Sequence, residues 1–187
     1  MRTEELSITI NALRSRVDRL EAESEIRRIQ ARYMFLCDTP CPEPVANDAE
    51  RIDRIMALYA DDAVWEGVGS YYEGQFGQAV GKAAIRAHFE KFWSTERNLP
   101  LVFNVHYLTS EQIHVDGDHA EGQWVHMQPW IFSDGSSLLR SSRLNNRFQR
   151  IDNRWLITRT RTENVFIAPL APGWAHSIPE KSVLMTA

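Results

Sequence analysis

The chain has 187 residues, 43% hydrophobic and 25% charged, which is an ordinary balance for a globular protein able to bury one sizeable core. Its formal net charge is −4 and its Lys and Arg residues are scattered, which argues against a nucleic-acid partner. No apolar run reaches the roughly 18 residues of a membrane span, the first residues lack the apolar stretch of a signal peptide, and the two cysteines, Cys37 and Cys41, stand alone beside prolines; a cytoplasmic protein with free thiols, no membrane contact and no metal site is expected.

Leu6, Ile10, Leu13, Val17 and Leu20 recur at heptad spacing within residues 5–24. This stripe predicts a helical extension, residues 1–24, that packs either on the domain or on a neighbouring subunit. Ser24 and Glu25 mark an expected break before the next helix. The domain itself is expected over residues 25–170, with a tail over 171–187.

Ile26, Ile29, Tyr33 and Leu36 form one apolar helical face, and the prolines of Thr39–Pro44 stop that helix. Asp38 therefore stands at a helix C-terminus, where the macrodipole favours cations rather than a carboxylate. A misplaced acid is a candidate general base; the plain alternative is an aspartate that turns into solvent and begins the loop.

A second helix is expected over 47–59, capped by Asn47 or Asp48 and burying Ile52, Ile55, Met56 and Tyr59. Ala63–Glu66 is extended, and glycines at 67, 69, 74, 77 and 81 mark turns around Tyr71 and Tyr72. Lys82–Glu96 reads as a third helix with Ile85, Phe89 and either Phe92 or Trp93 inward. Strands follow at 101–115, 119–133, 137–151 and 154–168, joined by Asp-Gly-Asp, Ser-Asp-Gly-Ser and Asp-Asn turns. Helices first and a long meander afterwards make an α+β arrangement. A curved antiparallel sheet wrapped by three helices encloses a cone whose mouth is a natural apolar pocket.

By period two, Trp124, His126, Gln128 and Trp130 share one face of their strand, which lines either the cone or a subunit interface. Ser141, Arg143, Asn145 and Arg147 alternate as a solvated face. Trp155, Ile157, Arg159, Arg161 and Glu163 alternate together on the last strand. His88, His114, His119 and His176 read as structural or solvated.

Several stretches together resemble the SnoaL-like branch of the nuclear transport factor 2-like superfamily: Tyr33–Asp38, Leu58-Tyr-Ala-Asp-Asp-Ala-Val-Trp65, Gly81–Ile85, His106, the Gly-Asp-His-Ala segment at 117–120, and Arg150–Ile157. The resemblance implies a cone-shaped α+β barrel. Within it the chain is most similar to the group of scytalone dehydratase, bile acid 7α-dehydratase and hexachlorocyclohexane dehydrochlorinase, which pairs an Asp at the end of the first domain helix with a His on the first long strand. Asp38 and His106 stand at those places, and Tyr33 matches a Tyr of the bile acid enzyme. The dehydrochlorinase's last-strand Arg has Thr160 in its place here, with Arg159 and Arg161 on either side.

The resemblance implies a cofactor-independent lyase with catalytic Asp38, His106 and Tyr33, acting on a small, mainly apolar cyclic substrate; His126 matches a second active-site His of scytalone dehydratase, and with Trp65, Trp124 of its own strand face and Arg161 of the last strand it is expected to hold that substrate. It also implies a homo-oligomer, dimer or trimer. An isomerase, cyclase or hydrolase would use the same proton abstraction. A non-catalytic binder, or a scaffold like the small subunit of ring-hydroxylating dioxygenases, needs no such pair.

Overall fold

The computed structural model describes residues 2–69, 72, 77–94 and 99–177. The turns around Tyr71 and Gly74, the end of the third helix at Glu96 and the tail beyond residue 177 lie outside the described residues. Among the described residues, helices α1 (Arg2–Cys37), α2 (Asp48–Met56) and α3 (Lys82–Phe92) accompany seven strands: β1 (Tyr59–Val68), β2 (Gln78–Val80), β3 (Leu101–Asn104), β4 (Tyr107–Asp116), β5 (His119–Phe132), β6 (Ser137–Ile151) and β7 (Arg154–Pro169).

The first helix runs unbroken through Ser24 and Glu25, where a break was expected. Ser costs a helix only about 0.5 kcal/mol relative to Ala, and buried Ala22 and Ile26 anchor the rod on both sides of it. From residue 22 onward α1 lies on the domain, burying Ala22, Ile26, Gln30, Tyr33 and Leu36. Residues 3–21 are exposed all round, so the heptad stripe does not fold back on its own domain.

In α2, the Asn47 side chain accepts the Glu50 backbone N–H at 2.9 Å while Glu50 Oε2 accepts the Ala46 N–H at 2.7 Å. This reciprocal cap satisfies two donors at the helix start. The helix stops at Met56, short of Tyr59, because Tyr59 is claimed by the sheet: it pairs with Ile157 across β7.

The sheet runs β2-β1-β7-β6-β5-β3, with β4 also on β5. Every pair is antiparallel except β1 with β7, which runs parallel. The stretch expected as one strand at 101–115 is two. β3 pairs with one end of β5 (Asn104 opposite Trp130) and β4 with the rest (Tyr107 opposite Met127), leaving Val105 and His106 in the gap. β7 carries two bulges against β6: Arg147 faces Arg159 but Phe148 faces Ile157, and Ser141 faces Phe166 but Ser142 faces Asn164. Thr158 and Val165 are thus extra residues that bend the strand and curl the sheet around the helices.

The core fills the concave side, from Ile26 and Leu36 of α1 across Ile55, Tyr59 and Ile85 to Leu144, Phe148 and Ile157. Gly122 is required by this packing: a Cβ there would meet the six-membered ring of Trp124, with Phe148 Cε2 behind it at 3.2 Å. Gly122→Ala is expected to lower unfolding stability by about 1–3 kcal/mol through overpacking, read as a lower urea midpoint at an unchanged slope.

Candidate active site

The end of α1 is tied to the sheet by backbone and side chain together. Thr39 and Asn104 exchange two backbone hydrogen bonds of 2.8 Å, and Asn104 Nδ2 donates to the Cys37 carbonyl at 3.3 Å. The buried Arg51 guanidinium caps the helix: Nε donates to the Leu36 carbonyl at 2.5 Å, Nη2 donates to the Asp38 carbonyl, and the group lies 4.1 Å over the Trp93 ring. A cation at this helix end answers both the orphan carbonyls and the macrodipole. The Asp38 side chain is thereby left for other work.

That work is His106. Asp38 Oδ1 accepts the His106 backbone N–H at 2.9 Å and lies 2.7 Å from His106 Nδ1. His106 sits where β3 ends and β4 has not begun, so its N–H has no ladder partner and the carboxylate takes that role. Both side chains are largely buried, 6% exposed for Asp38 and 11% for His106. A carboxylate oxygen accepts hydrogen bonds, so in the neutral tautomer that fits this contact Nδ1 is the donor and Nε2 the acceptor. Among the described residues Nε2 has no hydrogen-bond partner, and the ring lines a cavity of about 90 Å³ between helices and sheet.

The other cavity walls are aromatic: Trp65, Tyr72, Phe89, Phe92 and Trp130. His126 faces His106 edge-on at 5.6 Å and is 4% exposed, with neither ring nitrogen hydrogen-bonded among the described residues. Burial first, and then the nearby His106 and Arg140, push its pKa down to about 3, so it is a neutral imidazole at physiological pH. Gln128 Oε1 is likewise buried without a partner among the described residues. His88 lies against Trp65 at 4.2 Å, and its pKa falls to about 4 through burial and then Lys91. The Tyr33 hydroxyl accepts the Trp65 indole N–H at 3.1 Å, and burial, then Tyr59 and Cys37, hold its pKa well above the usual phenol value. It therefore stays a proton donor. Cys37 also borders the cavity, and burial pushes its thiol up to about 12, so it stays protonated at neutral pH. A buried cation completes the wall: Arg140, 1% exposed, with its guanidinium 4.0 Å over Trp130. Among the described residues no three His, Cys, Asp or Glu side chains are grouped to hold a metal ion.

The sequence matches the SnoaL-like domain over residues 18–161. The chain belongs to the SnoaL-like domain family. No curated protein matches it. Solved structures share its fold at low identity. A hexachlorocyclohexane dehydrochlorinase of Novosphingobium barchaimii is 18% identical over 83% of this chain and 94% of its own, with a TM-score of 0.63. A protein of Novosphingobium aromaticivorans assigned as a scytalone dehydratase is 14% identical over 82% and 90%, with a TM-score of 0.62. An NTF2-like protein with a cystatin-like fold from the same species is 21% identical over 82% and 88%, with a TM-score of 0.58.

In this SnoaL-like domain the cavity gathers Asp38's partner His106 with Tyr33, Trp65 and His126. Trp124 and Arg161, expected with them, lie elsewhere. Trp124 is on the inward face of β5 with His126, but two residues deeper in the core: it packs on Phe148 and donates its indole N–H to Glu111 at 3.1 Å. Arg161 points out of the sheet, held by Glu163 at 2.7 Å and Glu66 at 3.1 Å. The bulge at Thr158 explains it. Trp155 and Ile157 face inward, but the extra residue flips the alternation, so Thr160 and Thr162 face inward and Arg159 and Arg161 outward. Burial raises Glu66 while hydrogen bonds from Arg159 and Arg161 lower it, and the balance leaves it below the usual range.

Arg140, Tyr72 and His88 were not among the expected site residues. For Arg140 the signal was present: it shares parity with Leu144 and Phe148, the apolar positions of β6, opposite to Arg143, Asn145 and Arg147.

Two outcomes follow from this geometry. Arg51→Leu strands the Leu36 and Asp38 carbonyls and is expected to cost about 2–4 kcal/mol, measured by chemical denaturation. The second concerns acid. Between pH 6.5 and about 3 an unfolded chain binds a proton at His126 that the folded chain refuses. Stability is therefore full above 6.5 and falls as pH drops through that window. His88 adds the same sign down to about 4. Thermal melts from pH 7.5 to 4.5 are expected to decline, and His126→Gln is expected to flatten the decline.

Proposed function

We propose that this SnoaL-like domain is a cofactor-independent lyase, a dehydratase or similar eliminating enzyme, acting on a small, mainly apolar cyclic molecule. One arrangement supports the reading: His106 is bound through Nδ1 to the buried Asp38, its Nε2 has no hydrogen-bond partner among the described residues, and its ring lines a cavity walled by aromatic rings. Asp38 fixes the imidazole tautomer and balances the charge the ring acquires as it removes a proton from carbon. The electrons of that C–H bond form the new double bond, and the leaving group departs from the adjacent carbon. Tyr33, whose hydroxyl remains protonated, and neutral His126 are groups that can donate hydrogen bonds to a departing oxygen or to a carbonyl that activates the C–H bond, and the proton taken by His106 leaves with that oxygen as water.

The first step is shared with an isomerase, and neutral His126 favours that as the second reading. An uncharged donor holds an enolate oxygen without first claiming a counter-ion, and no group then needs to leave. A binding or scaffold protein would need no polarised imidazole.

A panel of cyclic β-hydroxy ketones and halogenated rings, followed by absorbance of the unsaturated product, is the direct assay. His106→Ala and Asp38→Asn are each expected to reduce turnover by about 10²–10⁴-fold, with far-UV circular dichroism unchanged. The double variant is expected to be little worse than either single one. Full activity in His106→Ala would sink the reading. Product retaining the substrate's mass, with its double bond moved, would favour the isomerase.

A further inference from the structure

We infer that the N-terminal half of α1 is one strand of a parallel, two-stranded coiled coil whose other strand is the same segment of a second copy of this chain. The stripe is unpartnered: Leu6, Ile10, Leu13, Val17 and Leu20 are 60%, 40%, 53%, 50% and 59% exposed. A single amphipathic helix standing off its domain is marginal in water without a surface to bury its apolar side.

What covers the stripe follows from its residue types. The spacing places Ile10 and Val17 at a positions and Leu6, Leu13 and Leu20 at d. β-branched residues at a with Leu at d favour two parallel strands over three or four. The flanking charges agree. Arg16 falls at g and Glu21 at the following e, both exposed and neither ion-paired within the chain among the described residues. In a parallel pair g meets the following e of the other strand, so Arg16 meets Glu21 of the second copy on both sides. An antiparallel pair sets g against g and e against e, which never brings Arg16 to Glu21.

The seam also ends where the domain begins. The next a and d positions are Ser24 and Arg27, and Arg27 is committed to Glu111 at 2.7 Å. Asp18, Glu21, Ala22 and Glu25 border the β6–β7 turn. The seam lies roughly a third of a turn away round the helix from that contact, so the domain does not obstruct a second helix. A parallel pair leaves both cones at the same end of the coil.

Sedimentation velocity of the full chain at about 10 µM is expected to give a dimer, and Leu13→Glu to raise its Kd at least about 100-fold with near-UV circular dichroism unchanged. Glu21→Arg is expected to weaken association, and Arg16→Glu with Glu21→Arg to restore it. Leu6→Cys is expected to cross-link as a disulfide dimer under mild oxidation, beyond any cross-linking of the wild-type chain through Cys37 and Cys41. A wild-type monomer, a trimer, or a dimer that survives Leu13→Glu overturns the inference. A dimer that fails to cross-link through Leu6→Cys overturns the parallel arrangement.

Discussion

Asp38 Oδ1 accepts two hydrogen bonds from one residue, the backbone N–H and the ring of His106, and the site's geometry depends on that double acceptance. It requires α1 to end against the sheet edge, and the Thr39–Asn104 bridge puts it there. It requires a strand to be interrupted, since a continuous strand would have paired the His106 N–H with its neighbour. It requires a second group to take the helix-end carbonyls, and Arg51 does so from α2. Each of these local irregularities is unfavourable alone; together they leave no buried donor or acceptor of the Asp38 main chain and His106 Nδ1 unanswered.

The cavity's chemistry is set by what burial does to each group. Desolvation discharges His126 and His88 and keeps Tyr33 and Cys37 protonated, so four titratable side chains at the walls are neutral. Formal charges nearby include Arg140, stacked on Trp130, Arg51, stacked on Trp93, and the carboxylate of Asp38, bound to His106. Proton transfer in such an enclosure polarises few competing groups, and aromatic walls exclude the water that would otherwise damp the field.

Much of this architecture is legible in the residues themselves. Apolar spacing locates α1 to α3, turn residues locate the hairpins, and the misfit of Asp38 at a helix end singles it out. The motifs shared with a known family supply the link to His106, which 68 intervening steps of sequence could not. Arg161 is misplaced because alternation is a local rule, and bulges reset it. One extra residue at Thr158 turns Arg161 outward and Thr162 inward, and the bulge leaves no mark in the residue types around it. Trp124 fails for a different reason. Period two correctly gives its face but says nothing of depth along the strand, and the cavity occupies only one end of β5. The uninterrupted α1 reflects tertiary anchoring at Ala22 and Ile26 overriding a weak local break.

The continuity of α1 has a consequence for how this sequence can change over time. Asp38 follows directly on the last residue of a rod that is keyed into the core at Ile26, Tyr33 and Leu36. Inserting or deleting one residue between Ile26 and Cys37 rotates everything beyond it by about 100°, which would carry the carboxylate off the sheet edge and drag apolar side chains into water. Length in that dozen residues is therefore fixed far more tightly than composition. The proline-rich connection from Cys41 to Ala46, half-exposed and outside any helix or strand, carries no such phase, and lineages descending from this chain can lengthen or shorten it while the acid and the imidazole stay in register.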